Sequence, residues 1–437
     1  MLKALVAALV LVVALFTGGP TRAQALPVDQ VLDTWYRLTL ELIRHTPTQT
    51  PPVASRALAY LGITGFEALA SGSGDLRSLS GQLQGFGPVP VREAGVGYDE
   101  AAVLETALAA TVQSLFANTG PTGQRSMKAV TKSLDALTAA GVEPEILARS
   151  TAYGQALAAH ILGWAAVDGG AVVENMGFPR DYTLIAGPGH WVPTSNIVQQ
   201  QAPLLPGWGD NRPFAMPSGA TCDLPPPPAY SEVPGSDFHA EALATHDAVT
   251  NRTSEQTAVA RFWSDDAMLS VTPPGHWISI ALRVLDDQGA DTARRAEVLA
   301  VLGVALADAF IGCWNQKYRY DLVRPVTYIR KVIDQGWEPL LNTPPFPEYP
   351  SGHSTQSGAA ATVLTALIGD NIAFEDTTGG PDGLPARKFA SFWAAAEEAG
   401  ISRLYGGIHY PIAITNGLQQ GRCIGAYAAA LQTRKSQ

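Results

Sequence analysis

Residues 298–325, VLAVLGVALADAFIGCWNQKYRYDLVRP, limit how this chain can fold more than any other stretch. The first part, Val298 to Trp314, is apolar almost all round, and a helix of that kind has to be covered by protein on every side. The second part puts Lys317, Arg319 and Arg324 into ten residues of a chain in which only 16% are charged. Lys and Arg are rarely buried unless something pairs with them. Lys317 and Arg324 stand seven apart, about 20° short of two full helical turns, so the spacing predicts both on one face of a single helix that Pro325 ends. Either the pair lies at a frayed surface end, or the fold brings an anion to it.

The rest of the chain supplies the cover. From Asp29 to about Asp168, segments such as VLDTWYRLTLELIRH and YDEAAVLETALAATVQSLFA repeat apolar residues at three- and four-residue steps, the helical period. The same pattern returns from FHAEALATHDAV to the closing AITNGLQQGRCIGAYAAALQ, and no strand ladder is evident. Between them FPRDYTLIAGPGHWVPTSN and APLLPGWGDNRPFAMPSG are rich in Pro, Gly and aromatic residues. A disordered linker would carry fewer Trp and Phe, so this reads as an ordered, packed coil. The expectation is a mainly α chain, with a helical bundle over 26–168, a connecting coil over 169–240 and a second, catalytic bundle over 241–437.

MLKALVAALVLVVALF followed by Ala23-Gln24-Ala25 reads as a signal peptide cleaved after Ala25, with an uncleaved anchor as the alternative. No later stretch is expected to cross a bilayer, so the mature chain is expected to be secreted or periplasmic. Loss of Lys3 and Arg22 would move the net charge from -10 to -12, a balance that argues against a nucleic-acid partner. Cys222, Cys313 and Cys423 allow at most one disulfide, free thiols being the alternative, and their spacing suits no metal site. Oligomeric state is left open.

Two further motifs point to the missing anion. In FPEYPSGHSTQSGAAATVL, Pro350, Ser351 and Gly352 directly precede a helical pattern. Ser351 is a suitable N-cap, the first backbone N–H groups of that helix have no internal acceptor, and Gly352 lets a ligand approach them. His353, in the first turn, is positioned to exchange a proton with a bound group. In SRLYGGIHYP, Arg403 offers a planar fork of donors suited to a tetrahedral oxyanion, and His409 follows past Gly406-Gly407 as a nucleophile or metal ligand. An N-cap with a surface His, and a hydrogen-bonded core His, are the plainer readings of these two segments.

Taken in order, K-x6-R-P, P-S-G-H and S-R-x5-H resemble the superfamily of type 2 phosphatidic acid phosphatases, bacterial acid phosphatases and vanadium-dependent haloperoxidases. The likeness runs in motif detail from Lys317 to Tyr410 and is nearest to the vanadium chloroperoxidase type. It implies that Lys317, Arg324, Ser351, Gly352 and Arg403 hold the oxygens of phosphate or vanadate. It further implies that His409 bonds the central vanadium or phosphorus, and that His353 serves as acid and base. Trp314 and Phe346 occupy positions that in such haloperoxidases shape the halide pocket, with ordinary aromatic packing as the alternative. Asp266, or its neighbour Asp265, is the expected acidic partner of the Arg and His, while His276 is expected to be structural.

One position departs from the phosphatase pattern, where an Asp four residues after the His accepts its second ring N–H. Here that residue is Ala413, which leaves the orientation of His409 to a backbone carbonyl, a water or Asn416. The expectation is therefore a vanadium-dependent haloperoxidase carrying vanadate. It would oxidise chloride or bromide with hydrogen peroxide, with a small organic acceptor as a further partner. A soluble acid phosphatase working through phosphohistidine, and a non-catalytic oxyanion binder, are the alternatives.

Overall fold

A computed structural model of the chain describes residues 27–435; the expected signal peptide lies outside them. In chain order the α-helices are α1 (Val28–His45), α2 (Pro51–Ala70), α3 (Glu100–Leu115), α4 (Pro121–Thr138), α5 (Pro144–Ala165), α6 (Asp237–Thr250) and α7 (Ser254–Phe262). They continue with α8 (Thr272–Asp287), α9 (Thr292–Tyr320), α10 (Pro325–Val332), α11 (Gly352–Ile368), α12 (Phe392–Tyr405) and α13 (Pro411–Ala429). Starts are written locally. Pro opens α2, α4, α5, α10 and α13, where its missing N–H costs nothing. Asp99, Ser236, Thr253, Asp291, Ser351 and Ser391 cap others through their side chains.

The apolar helix α9 is the axis around which the rest is packed. Residues Ala296 to Trp314 are all buried. By length and composition this is, among the described residues, the one helix able to cross a membrane, contrary to the expectation that no such stretch exists. Its apolar faces are instead covered by other helices. Gly62 and Gly303 let α2 and α9 meet backbone to backbone: a Cβ on Gly62 would lie 2.8 Å from Ala300 Cα, and one on Gly303 2.9 Å from Leu58 O. One continuous core runs from Val31 to Ala428 and takes residues from both expected bundles, while a smaller one gathers Leu224, Phe238, Tyr328, Tyr349 and Tyr410.

The coil between α5 and α6 contains no α-helix, only 3-10 turns at Glu174–Gly177, Val198–Gln201 and Trp208–Asp210. It is tied to α9 at several points. Buried Asp308 accepts the backbone N–H groups of Phe214, Ala215 and Met216 at 2.6, 2.8 and 3.0 Å. Leu204 O accepts from Trp314 Nε1 at 3.1 Å and from Tyr318 Oη. Cys222 forms a disulfide with Cys423 of α13, and Cys313 is a buried free thiol.

Two local expectations are corrected. First, Lys317 and Arg324 do not share a helix. The chain leaves α9 at Tyr320 through Asp321 in the left-handed conformation (φ 46°), and Arg324 is the N-cap of α10, which Pro325 starts rather than stops. Second, a two-stranded antiparallel hairpin pairs β1 (Phe374–Asp376) with β2 (Arg387–Phe389). Strands of three residues are too short to leave an alternating pattern.

Candidate active site

The ends of five helices converge on one polar centre in the core. The chain from α9 into α10 brings Lys317 and Arg324, the N-terminus of α11 brings Ser351, Gly352 and His353, the end of α12 brings Arg403, and the turn before α13 brings His409. Lys317 and Arg324 are wholly buried and Arg403 and His409 are 2% exposed. Burial is so costly for these cations that the Lys317 ammonium is driven down to about 7, and both Arg324 and Arg403 down to about 10. Arg324 and Lys317 also repel each other. His409 is held well below the usual imidazole range, first by burial and then by Arg324, Lys317, Arg403 and His353 around it. The site is a buried cluster of cations around a neutral imidazole, whose mutual repulsion an oxyanion would relieve.

Not every cation is free to donate. Lys317 Nζ spends its three hydrogens on the carbonyls of Pro347, Glu348 and Pro350 at 2.9, 2.9 and 2.6 Å. It anchors the segment leading to Ser351 and contributes charge, not the direct oxygen contact that the motif suggested. Arg324 gives Nε to Phe346 O (2.8 Å) and Nη1 to Ile408 O (2.9 Å), but its buried Nη2 has no partner. Arg403 donates to Ser402 Oγ and Trp263 O. Ser351 Oγ accepts from Ser354 N and from Ser354 Oγ (2.9 Å), so the cap is in place. The N–H groups of Gly352 and His353 open the helix with no acceptor inside it. A Cβ on Gly352 would meet nothing closer than Trp314 at 3.8 Å, so packing does not demand the glycine; its bareness leaves room at that N-terminus.

The orientation of His409 is the largest departure from the sequence expectation. Its Nδ1 lies 2.8 Å from Glu348 Oε1, an oxygen that also accepts the Tyr410 N–H at 2.9 Å. An oxygen accepting from the backbone takes the imidazole proton too, so Nδ1 is protonated and the lone pair is on Nε2, which faces Arg324 Nη1 at 3.4 Å. Glu348 is fully buried, and burial lifts its carboxyl to about 7 against the pull of Arg324 and Lys317. Thus neither Asn416, which donates to Tyr349 Oη at 2.7 Å, nor a backbone carbonyl orients His409. Ala413 instead offers its carbonyl to Ser351 N (3.0 Å). The signal was one acidic letter in PPFPEYPSGH, between the aromatic and the cap.

On the opposite side, His353 Nε2 is buried without a hydrogen bond and lies 3.8 Å from Asp265 Oδ2. Asp265, not Asp266, therefore reaches His353. Both carboxylates, with His276, line a cleft of about 220 Å³ that also carries Arg44, Arg261 and Asp382; burial raises the Asp266 carboxyl, and Arg403 opposes that rise. Trp314 and Phe346 pack ring to ring at 5.0 Å, and the Phe346 face carries Lys317 Nζ at 5.1 Å and Arg324 Cζ at 4.9 Å. Both cations are thus packed over one aromatic face.

The donor set fits vanadate or phosphate: an unpartnered guanidinium nitrogen, a bare helix N-terminus, a second guanidinium, and a neutral imidazole whose Nε2 lone pair meets only a long 3.4 Å contact from Arg324 Nη1. Known proteins agree with this reading. A family model described as the VCPO second helical-bundle domain matches residues 297–336 and 333–437. The vanadium chloroperoxidase of Curvularia inaequalis is 28% identical where it aligns, over 37% of this chain and 36% of that protein, so the match spans about a third of the curated relative's length. A crystal structure of a bacterial vanadium-dependent iodoperoxidase is 36% identical, with a TM-score of 0.85 over 94% of this chain and 97% of that one. A holo-type bacterial vanadium-dependent chloroperoxidase shares the fold, at 17% identity and a TM-score of 0.66, over 95% of this chain and 94% of that one. With a match at 36% identity over nearly the whole of both chains, this chain belongs to the vanadium-dependent haloperoxidase family.

Proposed function

We propose that the chain binds vanadate between Arg324 and His409 and oxidises a halide with hydrogen peroxide, consuming one proton and giving hypohalous acid and water. The observation that carries this is the unsatisfied cradle itself: three buried cations, Lys317, Arg324 and Arg403, with Arg324 Nη2 unpartnered and the His409 Nε2 lone pair held only by a 3.4 Å contact to Arg324 Nη1. Bound vanadate supplies a Lewis-acidic centre that polarises peroxide. The chain's residues do the rest. Glu348 fixes the His409 tautomer so that Nε2 can bond the metal. Arg324, Arg403 and the N–H groups of Gly352 and His353 orient and neutralise the oxygens, and Lys317 adds charge while holding the segment before Ser351. His353 Nε2, without a hydrogen bond, takes and returns the peroxide proton, with the Asp265 carboxylate 3.8 Å from that same nitrogen. Trp314 and Phe346 line the halide's approach.

Among halides we rank iodide first, because it is the easiest to oxidise and the near full-length relative is an iodoperoxidase; bromide and then chloride follow. Export is part of the proposal. It is supported by the signal-like N-terminus and by the Cys222–Cys423 disulfide, a bond that persists in oxidising compartments. The test is halide oxidation by purified protein with and without added vanadate. Triiodide formation that requires both peroxide and vanadate is expected, and its absence would overturn the reading.

One observation favours a second reading. Glu348 restores the carboxylate that Ala413 withholds, so His409 has the support a phosphohistidine needs. Hydrolysis of p-nitrophenyl phosphate without vanadate, and inhibited by it, would move the chain to the phosphatase branch.

A further inference from the structure

His276, on α8, stands away from the oxyanion cradle, yet its bonds lead straight to it. Its Nδ1 grips both oxygens of Asp265, at 2.9 and 3.0 Å, and its Nε2 meets Asp376 Oδ2 of β1 at 2.8 Å. The other Asp376 oxygen accepts the Thr378 N–H at 2.9 Å. The imidazole is 1% exposed and lies flat against Trp263, 4.4 Å between centroids at 16°, with Phe262 edge-on at 5.5 Å. Burial disfavours its charge, but the two carboxylates raise it to about 10, so both ring nitrogens donate.

The clamped segment needs such a grip. Asp265 is in the left-handed region (φ 49°), as are Met268 (φ 66°) and Thr272 (φ 62°), and a β-branched residue there is strained. Met268 and Leu269 at the far side of the loop are exposed. Packing alone does not fix where the Asp265 carboxylate points. The same segment serves the cradle twice: Trp263 O accepts from Arg403 Nη2, and Asp265 Oδ2 stands 3.8 Å from His353 Nε2.

We propose that His276 is a positioning residue for peroxide chemistry: by tying Asp265 to Asp376 it holds the Asp265 carboxylate on His353 and the Trp263 carbonyl on Arg403. The proposal rests on the haloperoxidase reading and goes beyond it. His276 touches neither substrate nor vanadate, and acts through the Asp265 segment that it clamps and stacks against.

The experiment uses the full chain reconstituted with vanadate, comparing wild type with His276→Gln, Asp265→Asn and the double variant. Replacing a buried orienting partner should lower kcat about tenfold in His276→Gln and leave KM for peroxide within about twofold. Because the residues act as a unit, the double variant should be no more than about twofold worse than Asp265→Asn alone. Vanadate binding to the apoprotein, read by calorimetry, should weaken by less than about threefold, since the His409 side is untouched. Multiplicative losses in the double variant, unchanged kcat in His276→Gln, or a loss that follows vanadate dissociation would overturn the proposal. Should His276→Gln fail to fold, Asp376→Asn decides by the same readouts: a fall in kcat without a change in vanadate affinity supports the clamp, and wild-type kcat overturns it. A wild type that binds vanadate but oxidises no halide defeats the haloperoxidase reading instead.

Discussion

The His409 wall and the His353 wall of the cradle are built differently. On the first, main-chain carbonyls and one buried carboxylate fix nearly every group: Lys317 is saturated by three carbonyls, Arg324 is anchored through Nε and Nη1 by two with Nη2 left over, and His409 is held by Glu348 at 2.8 Å. On the second, support comes from a loop with strained residues, and its closest charged contact to His353 is 3.8 Å. A binding wall benefits from rigidity, because an anion held by preset donors needs no reorganisation. A wall that passes protons needs its acid held within reach of the proton carrier, the part proposed for the His276 clamp on Asp265. Under the proposed function, the first side is expected to set affinity and the second turnover.

Four substitutions would break or sharpen that division. The largest effect is expected for His409→Ala, which removes the bond to the metal and should weaken vanadate binding in calorimetry by more than about 100-fold. Retained affinity would place the metal elsewhere. Next, Glu348→Gln keeps the shape but loses the charge behind His409, and should cost about tenfold in vanadate affinity, whereas Asp265→Asn should leave affinity nearly unchanged and lower kcat. Equal effects of the two on binding would erase the contrast between the walls. Phe346→His should change the ratio of iodide to bromide oxidation by about threefold to tenfold with vanadate affinity preserved; an unchanged ratio would remove Phe346 from the halide's path.

The smallest effect serves as a control far from both walls. Burial opposes ionisation of Glu297, but Arg434, Thr433 and Arg294 hold its carboxyl down to about 2. A depressed folded value stabilises the fold above the ordinary glutamate value and loses that contribution as pH falls through the folded one. Arg434→Ala should therefore cost about 1–2 kcal/mol near pH 7, discounting for the half-exposed arginine, and the gap from wild type should close between about pH 4.3 and 2. Turnover per folded molecule should not move.

The legibility of the site follows the same division. The His409 wall is carried by short contiguous motifs, so Lys317, Arg324, Ser351, Gly352, Arg403 and His409 could be placed together from spacing and resemblance. Even there, the argument for a common helix face was mistaken. A left-handed Asp321 turns the chain before Arg324, and the two cations meet through the fold. Glu348 was missed because its partner is 61 positions away and nothing local marks an acid as buried. On the other wall, Asp265 and Asp266 are adjacent and chemically alike. Only the positive φ of Asp265 decides which carboxylate turns inward. His276 read as structural because its bonds to Asp265 and to the short strand β1 are invisible to periodicity.

The most direct test is a crystal structure of the protein soaked in vanadate. The account predicts a single anion with its central atom within bonding reach of His409 Nε2, its oxygens taking up Arg324 Nη2 and the N–H of Gly352, and Glu348 still on His409 Nδ1. An anion resting on other residues, or His409 turned so that Nε2 meets Glu348, would contradict it.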